Sequence, residues 1–421
     1  MSKHVARRVG EVPPLAARRY RGHEQGLALV ITLFVVALVT VLVLEYHFDA
    51  AVELDLAANY ASDVQAYHLA LAGVRFAQAL LQWDDPKADG PDDAWYKLGL
   101  VPACFAPRQL LDLAATGGGE GLAAVGSEAK GSTRTDRQRE DMGGGDVGCV
   151  SLRITDEDGK LPINALMPPP STQATGSVNP PADPNWVQIF QAFFASFKID
   201  PEVVDALIDW IDADDTPRGS SGAERAYYER LPVPYKPPDS RMRTPEELRL
   251  VKGLDNPEEL AKLFPGTPPE AVADLDLGSN SYVTVFGAEQ PQQARVNLNT
   301  AAPEVLTALI AGLQPGNSAA AQAIVQEIVA RRQAKQFASV NEAVQGTNLG
   351  RAFGRVADVK STYFRVESVG VVGIVRKRIV AVLKRPQQQV SQPTVSQPTV
   401  SQPTVTQLNV TPSNMLYFKV E

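Results

Sequence analysis

Gly26-Leu27-Ala28-Leu29-Val30-Ile31-Thr32-Leu33-Phe34-Val35-Val36-Ala37-Leu38-Val39-Thr40-Val41-Leu42-Val43-Leu44 is the stretch that decides how this chain is built. From Leu27 to Leu44 it holds no charge, no Gly and no Pro. An apolar run of about 18 residues is just long enough to cross a bilayer core as a helix. Lys3, Arg7, Arg8, Arg18, Arg19 and Arg21 precede it and keep the N-terminus cytoplasmic. Charge returns at Glu45, but the helical period continues. Ala51, Leu54, Ala58, Ala61, Val64, Tyr67, Ala70, Leu71, Val74, Ala77 and Leu81 recur mostly three or four apart, and no Pro intervenes before Pro86. The pattern predicts one helix on the order of 80 Å long, apolar all round at first and amphipathic after. Three fates fit such a start: a cleaved secretory signal ending near Ala50-Ala51, an uncut single-pass anchor, or a prepilin-like leader cut after Gly26. The charged helix formers through Leu81 look like mature protein, and Gly26 directly before the apolar helix favours the third.

Outward from this stem, 421 residues are enough for two compact units. The formal net charge of −8 argues against a nucleic-acid-binding body. His4, His23, His47 and His68 all lie in the leader or stem, so the acidic body has no His to pair with a nucleophile, and a hydrolase finds no support. The two cysteines, Cys104 and Cys149, read either as one disulfide closing a loop of about 45 residues or as two unrelated thiols.

Between Thr116 and Gly148 the chain is Gly-rich and polar, as a surface loop is. Cys149–Thr155 alternates as a strand and ends in the acidic turn Asp156-Glu157-Asp158-Gly159, read as turn residues. After the Pro-rich stretch 167–184 the period becomes helical. Asn185–Phe197 carries Trp186, Ile189, Phe190, Phe193 and Phe194; Pro201–Ile211 carries Val204, Leu207, Ile208 and Ile211 on one face. The second helix runs into Asp209-Trp210-Ile211-Asp212-Ala213-Asp214-Asp215 and then Gly219 to Glu224. Carboxylates crowded on a Gly-containing loop suit calcium, although the spacing is not that of an EF-hand. A solvated acidic helix end is the alternative. Thr244-Pro245-Glu246-Glu247 and Asn256-Pro257-Glu258-Glu259 are two helix starts.

Ser281–Phe286 reads as a strand, Arg295–Leu306 as a strand entering a helix, and Ala319–Arg332 and Phe337–Ala343 as further helices. Short helices joined by the turn Gly312–Gly316 resemble SAM-like or helix-hairpin-helix modules. With Pro315 in the hairpin and few bases around it, packing is the better role than DNA binding. Tyr363–Gly370 and Ile374–Lys384 alternate as a β-hairpin turning at Gly370-Val371-Val372-Gly373. Beyond Pro386, three copies of Ser-Gln-Pro-Thr-Val from Ser391 read as a disordered or extended tail, and the final Met415–Val420 is apolar enough to dock at some unspecified surface.

In order, Gly26-Leu-Ala-Leu-Val-Ile31, Leu161-Pro-Ile-Asn164-Ala-Leu, Asp209-Trp-Ile-Asp212-Ala-Asp214, Gly222-Ala-Glu224 to Tyr228, Pro234-Tyr235, Glu247-Leu-Arg-Leu-Val-Lys-Gly253 and Val296-Asn-Leu-Asn-Thr300-Ala carry a resemblance. Together with the closing strands, they make the sequence similar to the minor pseudopilin K family of type II secretion systems (general secretion pathway protein K). The resemblance implies an α+β pseudopilin fold: a long N-terminal transmembrane helix and an antiparallel sheet interrupted by a large helical domain. On this sequence that gives a leader (1–26), a transmembrane and stem helix (27–84), and pseudopilin strands with the Gly-rich loop (85–166). An inserted helical domain (167–355) with submodules near 186–265 and 296–350 follows, then the closing hairpin (356–386) and the tail (387–421). It implies cleavage after Gly26 by a prepilin peptidase and N-methylation of Leu27. Most pseudopilins carry Glu at the fifth mature position; this family characteristically lacks it, and Ile31 stands there. The family binds calcium in its helical domain. By position Asp212, Asp214 and Glu224 are implied ligands, with Asp215 and Glu247 as further candidates. Asp239 and Arg241-Met242 depart from the family's usual Asn and Pro-Phe.

The implied function is non-enzymatic. The chain sits in the inner membrane by a single pass with a periplasmic body. It caps the pseudopilus tip with minor pseudopilins I and J, then H and the major pseudopilin G, and helps start assembly for protein export, binding no nucleic acid. The alternative from another class is a membrane-anchored helix-hairpin-helix DNA receptor of a competence system.

Overall fold

The computed structural model of the protein describes residues 24–84, 87–100, 104–115, 148–169, 182–272, 280–287, 289–314, 316, 318–349, 353–385 and 415–421. The leader's basic residues, the Gly-rich stretch, most of the Pro-rich stretch and the SQPTV repeats lie outside the described residues. The chain divides into two units, 1–61 and 62–421.

The described part of the first unit is helix. It belongs to α1 (Glu24–Trp83), which no Pro interrupts before its end. Side chains from Leu27 to Leu44 are exposed around the whole circumference, as a lipid- or partner-facing surface requires. Among the described residues this is the helix long and apolar enough to cross a membrane.

In the second unit α1 becomes one-sided, and Ala66, Ala70, Val74, Ala77 and Leu81 are buried. They lie against a four-stranded antiparallel sheet of order β1-β6-β7-β8, made of β1 (Cys149–Asp156), β6 (Tyr363–Val372), β7 (Val375–Lys384) and β8 (Met415–Val420). Small residues let helix and sheet approach closely. A Cβ on Gly370 would lie 1.9 Å from the carbonyl oxygen of Ala66, and one on Gly73 would lie 2.2 Å from Oγ of Ser368. Gly370 is therefore spent on this approach and not on the hairpin. The expected turn at 370–373 moves on: β6 continues through Gly370 to Val372, and Gly373 supplies the positive φ (57°). Short helices α2 (Ala94–Gly99) and α3 (Pro107–Ala115) lie between α1 and β1, and Cys104 is joined to Cys149 by a disulfide. Trp95, Leu98 and Phe105 complete this core with Val150, Leu152, Ile154, Phe364, Val366 and Ile379.

The end of the tail, assigned to the disordered stretch 387–421 yet apolar enough to dock at an unspecified surface, is ordered: Met415–Val420 forms β8 and pairs with β7, because alternating Met, Tyr and Lys against Leu, Phe and Val suits a strand edge.

The helical body lies in sequence between β1 and β6 and has its own core. After β2 (Leu161–Pro162) come α4 (Pro184–Ser196) and α5 (Val203–Ile211). Asp183 caps α4 by accepting from the Asn185 N–H at 2.9 Å, and Pro184 opens the helix. Next follow β3 (Val283–Thr284), β4 (Val296–Asn297), α6 (Pro303–Leu313), α7 (Ser318–Ala334) and β5 (Ala357–Asp358). Parallel pairs β2–β3 and β4–β5 stitch the body together. α4 and α6 share one core, and a Cβ at Gly312 would lie 2.5 Å from Cα of Ile189.

The acidic turn at the end of β1 is more than a turn. Asp156 Oδ2 accepts from Thr300 Oγ1 at 2.5 Å, from Ser361 Oγ at 2.6 Å and from Asn297 Nδ2 at 3.0 Å. Glu157 accepts from Lys160 and Arg365, each at 2.7 Å. Asn299 accepts from the Phe337 N–H at 2.8 Å and donates to its carbonyl at 3.0 Å. The Val296-Asn-Leu-Asn motif thus ties the helical body to the sheet through buried polar bonds.

Candidate metal centre

α5 buries Val203, Val204, Leu207, Ile208, Trp210 and Ile211, which fixes its rotation. That rotation also buries Asp209 completely. One turn on, Asp212 caps the helix C-terminus in an extended conformation (φ −82°, ψ 178°) and ends it. The loop then coils on its own carboxylates: Asp212 accepts from the Asp214 N–H at 3.4 Å, and Asp214 from the Thr216 N–H at 2.8 Å. It returns so that the Arg218 N–H donates to both oxygens of Asp209, at 3.2 and 3.1 Å. Arg218 also donates from Nε to Asp205 at 3.1 Å. Gly222 passes so close that a Cβ there would lie 2.4 Å from Oδ2 of Asp209 and 2.3 Å from the Arg218 carbonyl oxygen. Glu224 follows at the N-terminus of the helical turn Arg225–Tyr228.

Asp209, Asp212 and Glu224 each bring an oxygen within 4.8 Å of the others. Both carboxylate oxygens of Glu224 are buried and accept no hydrogen bond, and neither does Oδ1 of Asp239. Asp239, held at φ 48°, accepts on Oδ2 from Arg225 Nη2 at 2.8 Å. Two carboxylate charges at such a separation repel by about 3 kcal/mol at an effective dielectric of about 20. Burial is the largest cause raising all three acids, and nearby carboxylates add to it. Asp209 is pushed up to about 7, with Asp212 and Asp205 beside it; Asp212 to about 6, with Asp214 and Asp239; and Glu224 to about 8, with Asp209, Asp212, Asp214 and Asp239. The arrangement has two ways to become comfortable: bind protons or bind a hard cation.

The expected ligands fare differently. Asp212 and Glu224 come together. Asp214 lies near enough to raise both but turns its Oδ1 to Thr216. Asp215 is exposed, 3.9 Å from Arg225. Glu247 is corrected as a ligand: Oε1 accepts from the Arg243 and Thr244 N–H groups at 2.7 and 3.1 Å, and Oε2 from the Trp210 indole at 3.3 Å. It closes a capping box, the role its place three residues after Thr244 foretold. The residue missed is Asp209. Its signal was a carboxylate inside an apolar helical run, three residues before Asp212 and so on the same helix face. Another acidic group, Asp84, Asp89 and Asp93, already has donors: Arg385 donates to Asp89 at 2.6 and 2.9 Å and to Asp84 at 2.8 Å, and the Gly90 N–H donates to Asp93 at 2.7 Å. Gly26 and Leu27 lie within the first turn of α1.

Two family models described as type II secretion system, protein K match the chain, over residues 159–266 and 296–366. The first contains the acidic loop, the second the Asn297–Asn299 motif and the start of β6. The chain is 26% identical to type II secretion system protein K of Pseudomonas aeruginosa, over 87% of this chain and 90% of that one. It is also 26% identical to protein K of Aeromonas hydrophila, over 57% of this chain and 68% of that one. A solved structure that resembles it is the GspK–GspI–GspJ complex of the enterotoxigenic Escherichia coli type 2 secretion system. That match has a TM-score of 0.41 at 19% identity and covers 66% of this chain and 91% of that one. Nothing in these sequence similarities favours the DNA-receptor alternative.

Proposed function

We propose that this chain, which belongs to the type II secretion system protein K family and is a minor pseudopilin of that machinery, caps the tip of the pseudopilus and starts its assembly. The observation that carries the proposal is the helical body between β1 and β6, with a core separate from that under α1. A pseudopilus rod repeats subunits around packed stems, and a body enlarged in this way suits the one place without a neighbour above. Ile31 supports the same position: Glu at the fifth mature residue would neutralise a neighbour's terminal amine, and a tip subunit has no such neighbour to serve.

α1 anchors the chain by a single pass, with the body in the periplasm and the stem in the inner membrane. A prepilin peptidase cuts after Gly26, and Leu27 becomes N-methylated. The exposed apolar stem packs against the stems of minor pseudopilins I and J, and then H and the major pseudopilin G join below. Asp209, Asp212 and Glu224 hold a calcium ion, whose charge lets the loop close on α5; the buried, unpartnered Glu224 oxygens support this.

Mass spectrometry of the N-terminal peptide tests the processing: a chain beginning at methylated Leu27 is expected, and an intact leader overturns it. Secretion by a deletion strain tests the role. Exoprotein is expected to accumulate in the periplasm, and normal secretion with normal pseudopilus number overturns tip initiation.

A further inference from the structure

Asn164 staples two stretches of the helical body together. Its Nδ2 donates to the carbonyls of Met242 and Val285, at 2.9 and 2.6 Å, and its Oδ1 accepts from the Met242 N–H at 2.9 Å. Held this way, residues 240–243 and 285–287 form two walls of an open cleft of about 580 Å³. The cleft lies at the seam between the helical body and the sheet, since Tyr363 of β6 and Leu416 of β8 also line it. Ligand-binding pockets are commonly of roughly 300–1,000 Å³. Met167, Met242, Val285 and Phe286 give this one an apolar lining. Two guanidinium groups, of Arg241 and the exposed Arg243, face it against one carboxylate, that of Glu289. Lys384 pairs with the Glu289 carboxylate, and Arg241 donates to the Glu289 carbonyl. The lining is therefore apolar and net cationic.

Beside the cleft the sheet ends. β8 is the outer strand in the order β1-β6-β7-β8. Arg378 and Glu421 exchange both backbone bonds, at 3.0 and 2.8 Å. Bonded pairs alternate along an antiparallel ladder, so Phe418 and Val420 turn their N–H and C=O groups away from β7. Among the described residues no strand takes that edge up. Leu416, Phe418 and Val420 are exposed at 48%, 42% and 42%, so apolar side chains stand along it too. No Pro lies in Met415–Val420 to blunt the edge, which is a template for a further strand.

We propose that the cleft and the β8 edge together dock an extended segment of another protein. The segment pairs its backbone with β8, seats a bulky apolar side chain in the cleft and brings a nearby carboxylate to Arg241 and Arg243. The edge offers a row of backbone donors and acceptors, which an extended polypeptide meets and a small molecule does not. The cleft at its end selects the side chains, and its charge selects an acidic segment. Main-chain pairing at a sheet edge with side chains in pockets is a recurring mode of peptide recognition.

The test uses the full chain in detergent micelles with isotope-labelled methionine methyls, because Met167 and Met242 line the cleft. The probe is the synthetic peptide Thr-Val-Phe-Asp-Val-Thr, and its control carries Lys in place of Asp. The Asp peptide is expected to shift both methyl signals and to bind at least about tenfold tighter than the Lys peptide. Arg243→Glu is expected to reverse that preference. If this variant loses the parent's methyl spectrum, Arg243→Gln replaces it and is expected to abolish the preference. Of two Asp peptides N-methylated at alternate positions, one should keep its affinity and the other lose it, because one edge of the peptide pairs with β8. No shift with the Asp peptide, or equal affinity for the Asp and Lys peptides, overturns the proposal. Equal behaviour of the two N-methylated peptides overturns it as well, by removing the strand pairing. Hydrocinnamate binding as tightly as the peptide would make the cleft a small-molecule site. Methyl shifts that follow the chain's own concentration without peptide would make it an interface between copies. Either result overturns the proposal.

Discussion

Arg365 meets Glu157 at 2.7 Å with both side chains 1% exposed, and this buried pair joins the centre of the sheet to the turn from which the helical body departs. Burial alone would raise Glu157, but Lys160 and Arg365 outweigh it and hold the carboxyl at about 2. Removing Arg365 leaves Glu157 with Lys160 at 2.7 Å as its remaining cation and takes one buried, charge-assisted hydrogen bond away. Arg365→Ala is therefore expected to destabilise the protein by about 1–3 kcal/mol. Denaturant melts of the detergent-solubilised chain read this directly; a loss below about 1 kcal/mol would contradict the account.

Without calcium, the raised acids make a definite pH dependence. Asp209, Asp212 and Glu224 sit at about 7, 6 and 8 when folded, against an ordinary carboxyl near 4 when unfolded. Between those limits the folded chain binds more protons than the unfolded one, so these groups lower stability as pH rises. With chelator the melting temperature should fall from about pH 5 to about pH 8, and saturating calcium should flatten that fall. Calcium at about a hundredfold over its dissociation constant adds about 2.7 kcal/mol. Equal slopes with and without calcium would remove the metal centre.

Glu224→Gln separates a metal site from a merely acidic loop, because its two effects have opposite signs. Without calcium at pH 8 the variant should melt above the parent chain, having lost a buried, unpartnered charge. With calcium it should lose most of the parent's gain. A variant that melts lower under both conditions would make Glu224 a structural residue only.

Gly222→Ala tests the loop's closure. Its Cβ would meet Oδ2 of Asp209 and the Arg218 carbonyl well inside contact distance, so the loop must move off Asp209. Calorimetric calcium affinity is expected to fall at least about tenfold, or about 1.4 kcal/mol. Unchanged affinity would mean that the loop closes differently from the structure.

Reduction of Cys104–Cys149 reopens a connection with a sequence separation of 45. The chain-entropy account gives about 4 kcal/mol for a loop of that length. The oxidised chain should therefore resist several-fold more proteolysis between α3 and β1 than the chain with both cysteines replaced by Ser.

Much of this molecule was written locally. The apolar run from Leu27 and the three-and-four spacing to Leu81 fixed α1, because a helix's faces depend only on sequence spacing. The alternation in 149–155 and 363–384 marked β1, β6 and β7, and Asp183-Pro184 and Thr244-Pro245 marked helical starts. The family resemblance rested on the same linear order of motifs. Tertiary structure decided the rest, because it depends on pairs distant in sequence. Gly370 served Ala66 and not the turn; β8 found β7 across the repeats; Asp156 became a buried acceptor for Asn297 and Ser361. Asp209 joined Asp212 and Glu224 only because the apolar face of α5 fixed the helix's rotation and Gly222 let the loop return. Spacing along a chain specifies direction on one element. Which carboxylates share a space is set by how separate elements pack, and that information is not local.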